Sequence, residues 1–268
     1  DNYSGGCYKH SLIKKIDLLT DKKEVDKLIK NFRPDLIYHL ASWPYEGLSL
    51  FSPIKVTENN LNSYLNILIP AINYKVKRII LTSTMSVYGD QKPPFSEKMP
   101  RKPIDIYGVS KAAMEEMTEI LAKVYHFEYV IIRPHNVYGP RQNMADPYRN
   151  VVAIFINCLL KNKPFYIYGD GRQKRAFSYI DDIIPPFARS GFVNVNKEII
   201  NIGPSEDYSV NQLAKEIRNY FPNSPKPIYL AKRLQEARNA FATNIKTQKL
   251  LDYKKKISFK EGIRKTVT

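Results

Sequence analysis

Val76-Lys77-Arg78-Ile79-Ile80-Leu81-Thr82-Ser83-Thr84 is a short apolar run that turns into three consecutive hydroxyl side chains. A run of this length reads as a buried strand, which places the hydroxyls at its carboxyl end. Downstream, Ile106 to Tyr125 reads as a long helix with Val109, Ala113, Met117, Ile120, Leu121 and Val124 on its apolar side. Upstream, Asp35 to Ala41 reads as another buried strand after Pro34, preceded by a helix from Asp21 to Phe32. A further helix is expected from about Thr57 to Tyr74, kinked or shortened by Pro70. Glu128 to Ile132 is a third β-rich run, ending at Arg133-Pro134. Strands alternating with helices in this way predict βαβ units in an α/β, doubly wound, Rossmann-like parallel sheet.

The pattern loosens past Pro140. A helix from Val151 to Leu160, a Tyr/Ile strand ending in Gly169-Asp170-Gly171, a strand from Glu198 to Ile202 and a helix opening at Ser209 follow. Gln212 completes a capping box with Ser209. The expectation is a sheet domain over residues 1–140 and a smaller α/β lobe over 141–268, some of whose segments return to the sheet. A ligand would then bind between them, at the carboxyl ends of the strands.

Composition bounds the function. The chain has 268 residues, 43% hydrophobic and 25% charged, enough to bury a core and inconsistent with a disordered tail. Its longest apolar stretches fall well short of the roughly 20 residues that cross a bilayer. Cys7 and Cys158 are too few for a four-thiolate zinc site, and without a secretory leader the expected compartment is the reduced cytoplasm. Basic residues number 42 against 26 acidic, a net +16. They are spread one or two at a time between apolar positions, and no basic–aromatic motif accompanies Lys254-Lys255-Lys256, so a nucleic-acid partner is not expected. Attraction for an anionic small molecule is the milder reading. His10, His126 and His135 lack metal-like partners, and Asp181-Asp182 lack a third ligand, so no metal is expected.

The sharpest constellation joins the strand-end hydroxyls to Tyr107 and Lys111, four residues apart on one helix face. A free phenol, with a pKa of about 10, is a poor base at neutral pH. An ammonium one turn away would favour the phenolate, and a hydroxyl beside it could hold the oxygen that gains or loses the proton. Such a device suits the oxidation of an alcohol to a ketone.

Several stretches resemble the extended short-chain dehydrogenase/reductase family, which includes the nucleotide-sugar epimerases and dehydratases. They are Thr82 to Asp90 (TSTMSVYGD), Tyr107 to Lys111 (YGVSK), Arg133 to Gln142 (RPHNVYGPRQ), Tyr168 to Asp182 (YGDGRQKRAFSYIDD) and Asn201-Ile202-Gly203. They occur in family order along essentially the whole chain. The resemblance implies that Thr84 bonds the reacting sugar oxygen, that Tyr107 is the acid/base, and that Lys111 lowers the phenol pKa and holds the nicotinamide ribose. It further implies NAD contacts from Asp1-Asn2 at the adenosine ribose and Asp17-Leu18 at the adenine. Leu40, Ala41, Ser42, Asn60, Thr82, Pro134 and His135 would line the same cofactor. A carboxylate at the ribose favours NAD over NADP. Asn136, Arg175, Arg233 and Glu236 would hold the sugar diphosphate, the arginines through paired bonds to phosphate oxygens. A homodimer through two helices, one of them carrying Tyr107, is also implied.

Some positions depart from the family pattern. The glycine-rich phosphate loop has no counterpart, and Gly5-Gly6 do not replace it because no strand precedes them. The expectation is that the natural protein continues upstream and that this chain alone binds NAD weakly. Ser63-Tyr64 stand where the family carries Gly-Thr, and Thr243 where an acidic residue is common. Met85-Ser86 replace the Asp-Glu pair with which the family's dehydratases eliminate water. Reversible hydride transfer remains, which favours a UDP-sugar 4-epimerase. A reductase or epimerase of another nucleotide sugar, or a non-catalytic NAD- or nucleotide-sugar sensor, are the alternatives.

Overall fold

The computed structural model describes residues 13–148 and 150–268. Asp1 and Asn2, expected at the adenosine ribose, lie outside the described residues, as do Gly5, Gly6, Cys7 and His10. The first half runs α1 (Lys22–Phe32), β1 (Leu36–His39), α2 (Glu46–Ser49), α3 (Pro53–Thr57), a π-helical turn (Glu58–Asn62), α4 (Ser63–Asn73), β2 (Arg78–Thr82), a 3₁₀ turn (Met85–Tyr88), α5 (Ile106–Tyr125) and β3 (Glu128–Pro134). The second half runs β4 (Val137–Tyr138), α6 (Val151–Leu160), β5 (Tyr166–Tyr168), β6 (Lys174–Arg175), β7 (Ser178–Tyr179), α7 (Ile180–Arg189), β8 (Glu198–Ile202), β9 (Tyr208–Ser209), α8 (Val210–Arg218), β10 (Ile228–Leu230), β11 (Asn239–Ala240), α9 (Ile245–Leu251) and α10 (Phe259–Val267).

Four strands make one parallel sheet in the order β1-β2-β3-β8. Side chains alternate across it, because successive residues of a strand point to opposite faces. Ile79, Leu81 and Ile131 pack with Val25, Leu68, Ala71 and Met114 under α1, α4 and α5. Ile80, Val130, Ile132, Ile200 and Ile202 face the other way, onto Ile183 of α7 and Leu251 of α9. Helices thus cover both faces of a Rossmann-like sheet, and the second face is covered from the second half of the chain. A separate core of Phe155, Phe165, Leu213, Ile217 and Ile263 holds α6, α8 and α10 together. The Ser209–Gln212 capping box forms at α8, with its two bonds at 3.1 and 2.7 Å. Asp182 accepts from the Lys256 and Ile257 amides, which ties α7 to the C-terminal segment.

Two expectations change. The helix read from Thr57 to Tyr74 is instead α3, a π turn and α4, and Pro70 lies inside α4 three residues before its end. The π turn swings Asn60 inward, a role such bulges often have near functional sites. The apolar face read along α5 is also not the buried one. Val109, Ile120 and Val124 are 48, 62 and 59% exposed, while Tyr107, Lys111, Glu115 and Thr118 are buried. The inward face is polar because those side chains find partners beneath the helix. Among the described residues no helix is long and apolar enough to cross a membrane.

Candidate active site

The register sets the carboxyl ends of the strands side by side. His39 lies opposite Leu81, Thr82 opposite Ile132, and Pro134 opposite Ile202. The segments from Leu40, Ser83, His135 and Gly203 therefore leave the sheet at one end, where a doubly wound sheet is expected to open its crevice. Leu40 is 60% exposed there, beside the exposed Ala41 and half-buried Ser42.

The N-terminus of α5 meets this end. Asp105 caps it, its Oδ1 accepting from the Gly108 amide at 2.8 Å. Gly108 is required by close approach, since a Cβ there would fall 2.8 Å from the Ser86 carbonyl oxygen. The helix can thus press Tyr107 against the 3₁₀ turn, whose N-cap is Thr84; Thr84 Oγ1 accepts from the Ser86 amide at 3.2 Å. The Thr84 and Ser42 hydroxyls flank the phenol. Lys111, one turn on, is 1% exposed and donates to the Thr82 carbonyl at 2.9 Å.

Beneath them lies an ion network. Glu115 accepts from Arg133 Nη2 at 2.5 Å and Nε at 2.9 Å, from Ser83 Oγ at 2.5 Å and from Arg101 Nε at 2.6 Å. Burial alone would raise the Glu115 pKa, but these partners outweigh it and hold it below the usual value. Ser83 is therefore committed to the fold, and Thr82 and Thr84 remain for ligands. Tyr64, at the unusual Ser63-Tyr64 position, bonds Thr118 of α5 at 2.6 Å and packs on His39.

The electrostatics differ from the sequence expectation. Burial pushes the Tyr107 phenol above its ordinary value, and the Glu46 carboxylate adds to the effect, while Thr84 and Ser42 pull it back. Lys111 does not offset this rise. Its Nζ sits 6.0 Å from the ring centroid, is bound to a carbonyl, and is itself pushed by burial down to about 7. Burial lowers His39 to about 3 and His135 to about 4, so both rings are neutral. Asp105 is raised by burial, and secondarily by Glu46, to about 7.

The other expected site residues have partners within the fold. Asn60 spends its whole amide on the loop after β1. It accepts from Ser42 Oγ and the Trp43 amide at 2.8 Å each and donates to the Trp43 and Val56 carbonyls. It positions Ser42 rather than reaching the crevice. Asp17 closes its own turn, accepting from the Leu19 and Thr20 amides, and the Leu18 carbonyl accepts from Asn66. Pro134 and Asn136 are half-buried, and Asn136 donates to the Ala176 carbonyl at 2.9 Å. Arg175 and Glu236 do meet, at 3.2 Å, but Arg175 also donates to the Ala237 and Arg238 carbonyls, so its guanidinium fastens the loop. Arg233 is exposed and stacks on Tyr168 at 3.8 Å. Missed by the sequence reading is Glu46, the first residue of α2, which accepts a hydrogen bond from Ser86 Oγ.

The donor set suits the nicotinamide-ribose half of a dinucleotide. Among the described residues Thr82 Oγ1 is buried without a partner, at the end where Lys111 and Tyr107 lie, and a ribose hydroxyl would supply one. A buried phenol and amine at a helix start, beside strand-end hydroxyls of a doubly wound sheet, are the arrangement that the short-chain dehydrogenase/reductase resemblance implies.

Comparison with known proteins agrees. The model of the NAD dependent epimerase/dehydratase family matches residues 9–203, and the chain belongs to that family. A putative UDP-glucose 4-epimerase of Methanocaldococcus jannaschii is 32% identical over 247 residues, covering 91% of this chain and 80% of the relative. A UDP-glucuronate 4-epimerase of Thermodesulfobacterium geofontis is 29% identical over 256 residues, covering 93% and 76%. The crystal structure of a UDP-glucose 4-epimerase with UDP-glucose from Thermotoga maritima superimposes with a TM-score of 0.93 at 29% identity, over 100% of this chain and 88% of that one.

Proposed function

We propose that this chain is an NAD-dependent UDP-sugar 4-epimerase acting through a 4-keto sugar. The observation that carries the reading is the placement of the Tyr107 phenol against Thr84 at the crevice, with Met85 and Ser86 in place of an eliminating carboxylate pair. Thr82, Lys111 and the segments after β1 and β3 would hold NAD, which would supply reversible hydride acceptance and a positive ring that favours the phenolate. Thr84 holds the sugar's 4-oxygen, and Tyr107 takes its proton and later returns it. Lys111 ties the ribose to the Thr82 end of the strand. Arg233 and Asn136 hold the diphosphate, with Arg175 and Glu236 bracing the loop that carries Arg233, so the keto sugar can turn over without leaving. Glu46 is a single carboxylate, whereas elimination of water needs both an acid and a base on the sugar. We assign the sheet side, residues 1–140, to the cofactor and most of 141–268 to the nucleotide sugar.

The exposed Val109, Ile120 and Val124 of α5 suit contact with a second copy of the chain, which fits a homodimer. The test of function is an assay with NAD and UDP-glucose followed by NMR of the sugar. Formation of the C4 epimer with no accumulation of NADH is expected. A 4-keto-6-deoxy product, or stoichiometric consumption of reduced cofactor, would replace this reading with a dehydratase or a reductase. Ligand-shifted melting with no turnover would favour the sensor.

A further inference from the structure

We propose that Glu46 sets the charge of the sugar this site accepts: fixed to the Ser86 hydroxyl at the sugar end of the crevice, its carboxylate admits neutral hexoses and turns away hexuronates. The inference rests on the nucleotide-sugar reading above and goes on to the class of sugar. Glu46 opens α2 at the end of the loop that leaves β1, and the Ser49 hydroxyl fastens its backbone by donating to its carbonyl at 2.7 Å. Its carboxylate accepts from Ser86 Oγ, which lies 3.2 Å from Thr84 Oγ1. Glu46, Ser86 and Thr84 thus form a line from the crevice mouth to the group placed on the sugar's 4-oxygen.

The side chain is exposed and its described bond goes only to a hydroxyl, so the fold makes no evident use of its charge. Among the described residues no Lys or Arg pairs with it. Arg233 reaches only as far as its neighbour, with Nη1 3.4 Å from where a Gly47 Cβ would sit, and in the reading above it is committed to the diphosphate. The field of Glu46 is nonetheless felt inside the site, where it helps raise both Tyr107 and Asp105.

We set the exocyclic carbon of a hexose whose C4 oxygen lies on Thr84 toward Ser86, which lies between Thr84 and Glu46, in one of the two orientations the turning sugar adopts. A neutral hydroxymethyl group there can donate to the carboxylate. A uronate would bring a second carboxylate against it, and like charges at such range repel.

The test compares UDP-glucose with UDP-glucuronate on the NAD-supplemented chain, by binding and by kcat/KM. UDP-glucuronate is expected to be the poorer ligand by at least about tenfold, or 1.4 kcal/mol. Glu46→Gln keeps the bond to Ser86 and removes the charge, and it should close the gap about tenfold, chiefly through the uronate. Glu46→Asp should keep the preference. A purely structural role would weaken both sugars alike and leave the ratio unmoved. A wild-type preference for the uronate, or a ratio indifferent to Glu46→Gln, would overturn the inference while leaving the epimerase reading intact. Failure of both sugars to bind would overturn both.

Discussion

Around Tyr107 and Lys111 nearly every polar group is anchored by a regular element and sealed from water. Lys111 donates to the last residue of β2, Asp105 caps α5, and Glu115 draws in Arg133, Ser83 and Arg101. At the opposite wall, Arg233 and Glu236 ride on the irregular stretch 231–238, and Arg233 lies in solvent on the face of Tyr168. The first region couples chemistry to stability, because its groups are what the helix and sheet are packed on. The second separates them, because Arg233 rests on an exposed ring face rather than in the core.

Substitutions should expose that contrast. Glu115→Ala strands the buried Arg133 and releases Ser83, so it should cost about 3–5 kcal/mol in urea unfolding and lower turnover with it. A loss below about 1 kcal/mol would mean that the network is ornamental.

Acid should act on the first region as well. His39 and His135 have folded pKa values of about 3 and 4 against an ordinary 6.5, so the unfolded chain binds more protons between those limits. Their contribution is complete above about pH 6.5 and is lost as the pH falls toward 4, at about 1.4 kcal/mol per pH unit for each ring. Lys111, at about 7 against 10.5, works in the same direction between those two values. Urea midpoints measured at descending pH should fall accordingly, and His135→Asn should flatten the acid part of the slope.

The smallest structural effect is expected at the open wall. Arg233→Ala should leave the unfolding midpoint in place and raise KM for the nucleotide sugar roughly ten- to a hundredfold, the range of a lost charge-assisted hydrogen bond. A shift in stability comparable to that of Glu115→Ala would erase the distinction between the two regions.

Much of the sheet was legible in the sequence because strand periodicity is local. Ile79 and Leu81 alternate with Ile80, and the structure sorts them to opposite faces. The strand-end position of Thr84 and the shared helix turn of Tyr107 and Lys111 were legible because element ends and a four-residue spacing are local features. The buried face of α5 was not, since Glu115 and Thr118 look like solvent residues until Arg133 and Tyr64 arrive from distant segments. The π turn was hidden for the same reason, as its Asn60 finds its partner in a loop 17 residues away, where the Trp43 amide donates to it. Glu46 lies on a loop without periodicity and meets Ser86 across 40 residues, a pairing that only the fold creates. The direction of the Tyr107 shift was misread because burial, which outweighs the lysine, leaves no mark in a four-residue spacing.

The central claim is that the Tyr107 phenol carries the proton of the sugar's 4-hydroxyl, and the direct measurement is the C4 epimerisation rate of UDP-glucose in the presence of NAD for wild type and Tyr107→Phe. The account expects a loss of at least about a thousandfold in kcat, in the range of general acid–base catalysis, with nucleotide-sugar binding and the melting temperature retained. A Phe variant that turned over at the wild-type rate would contradict it.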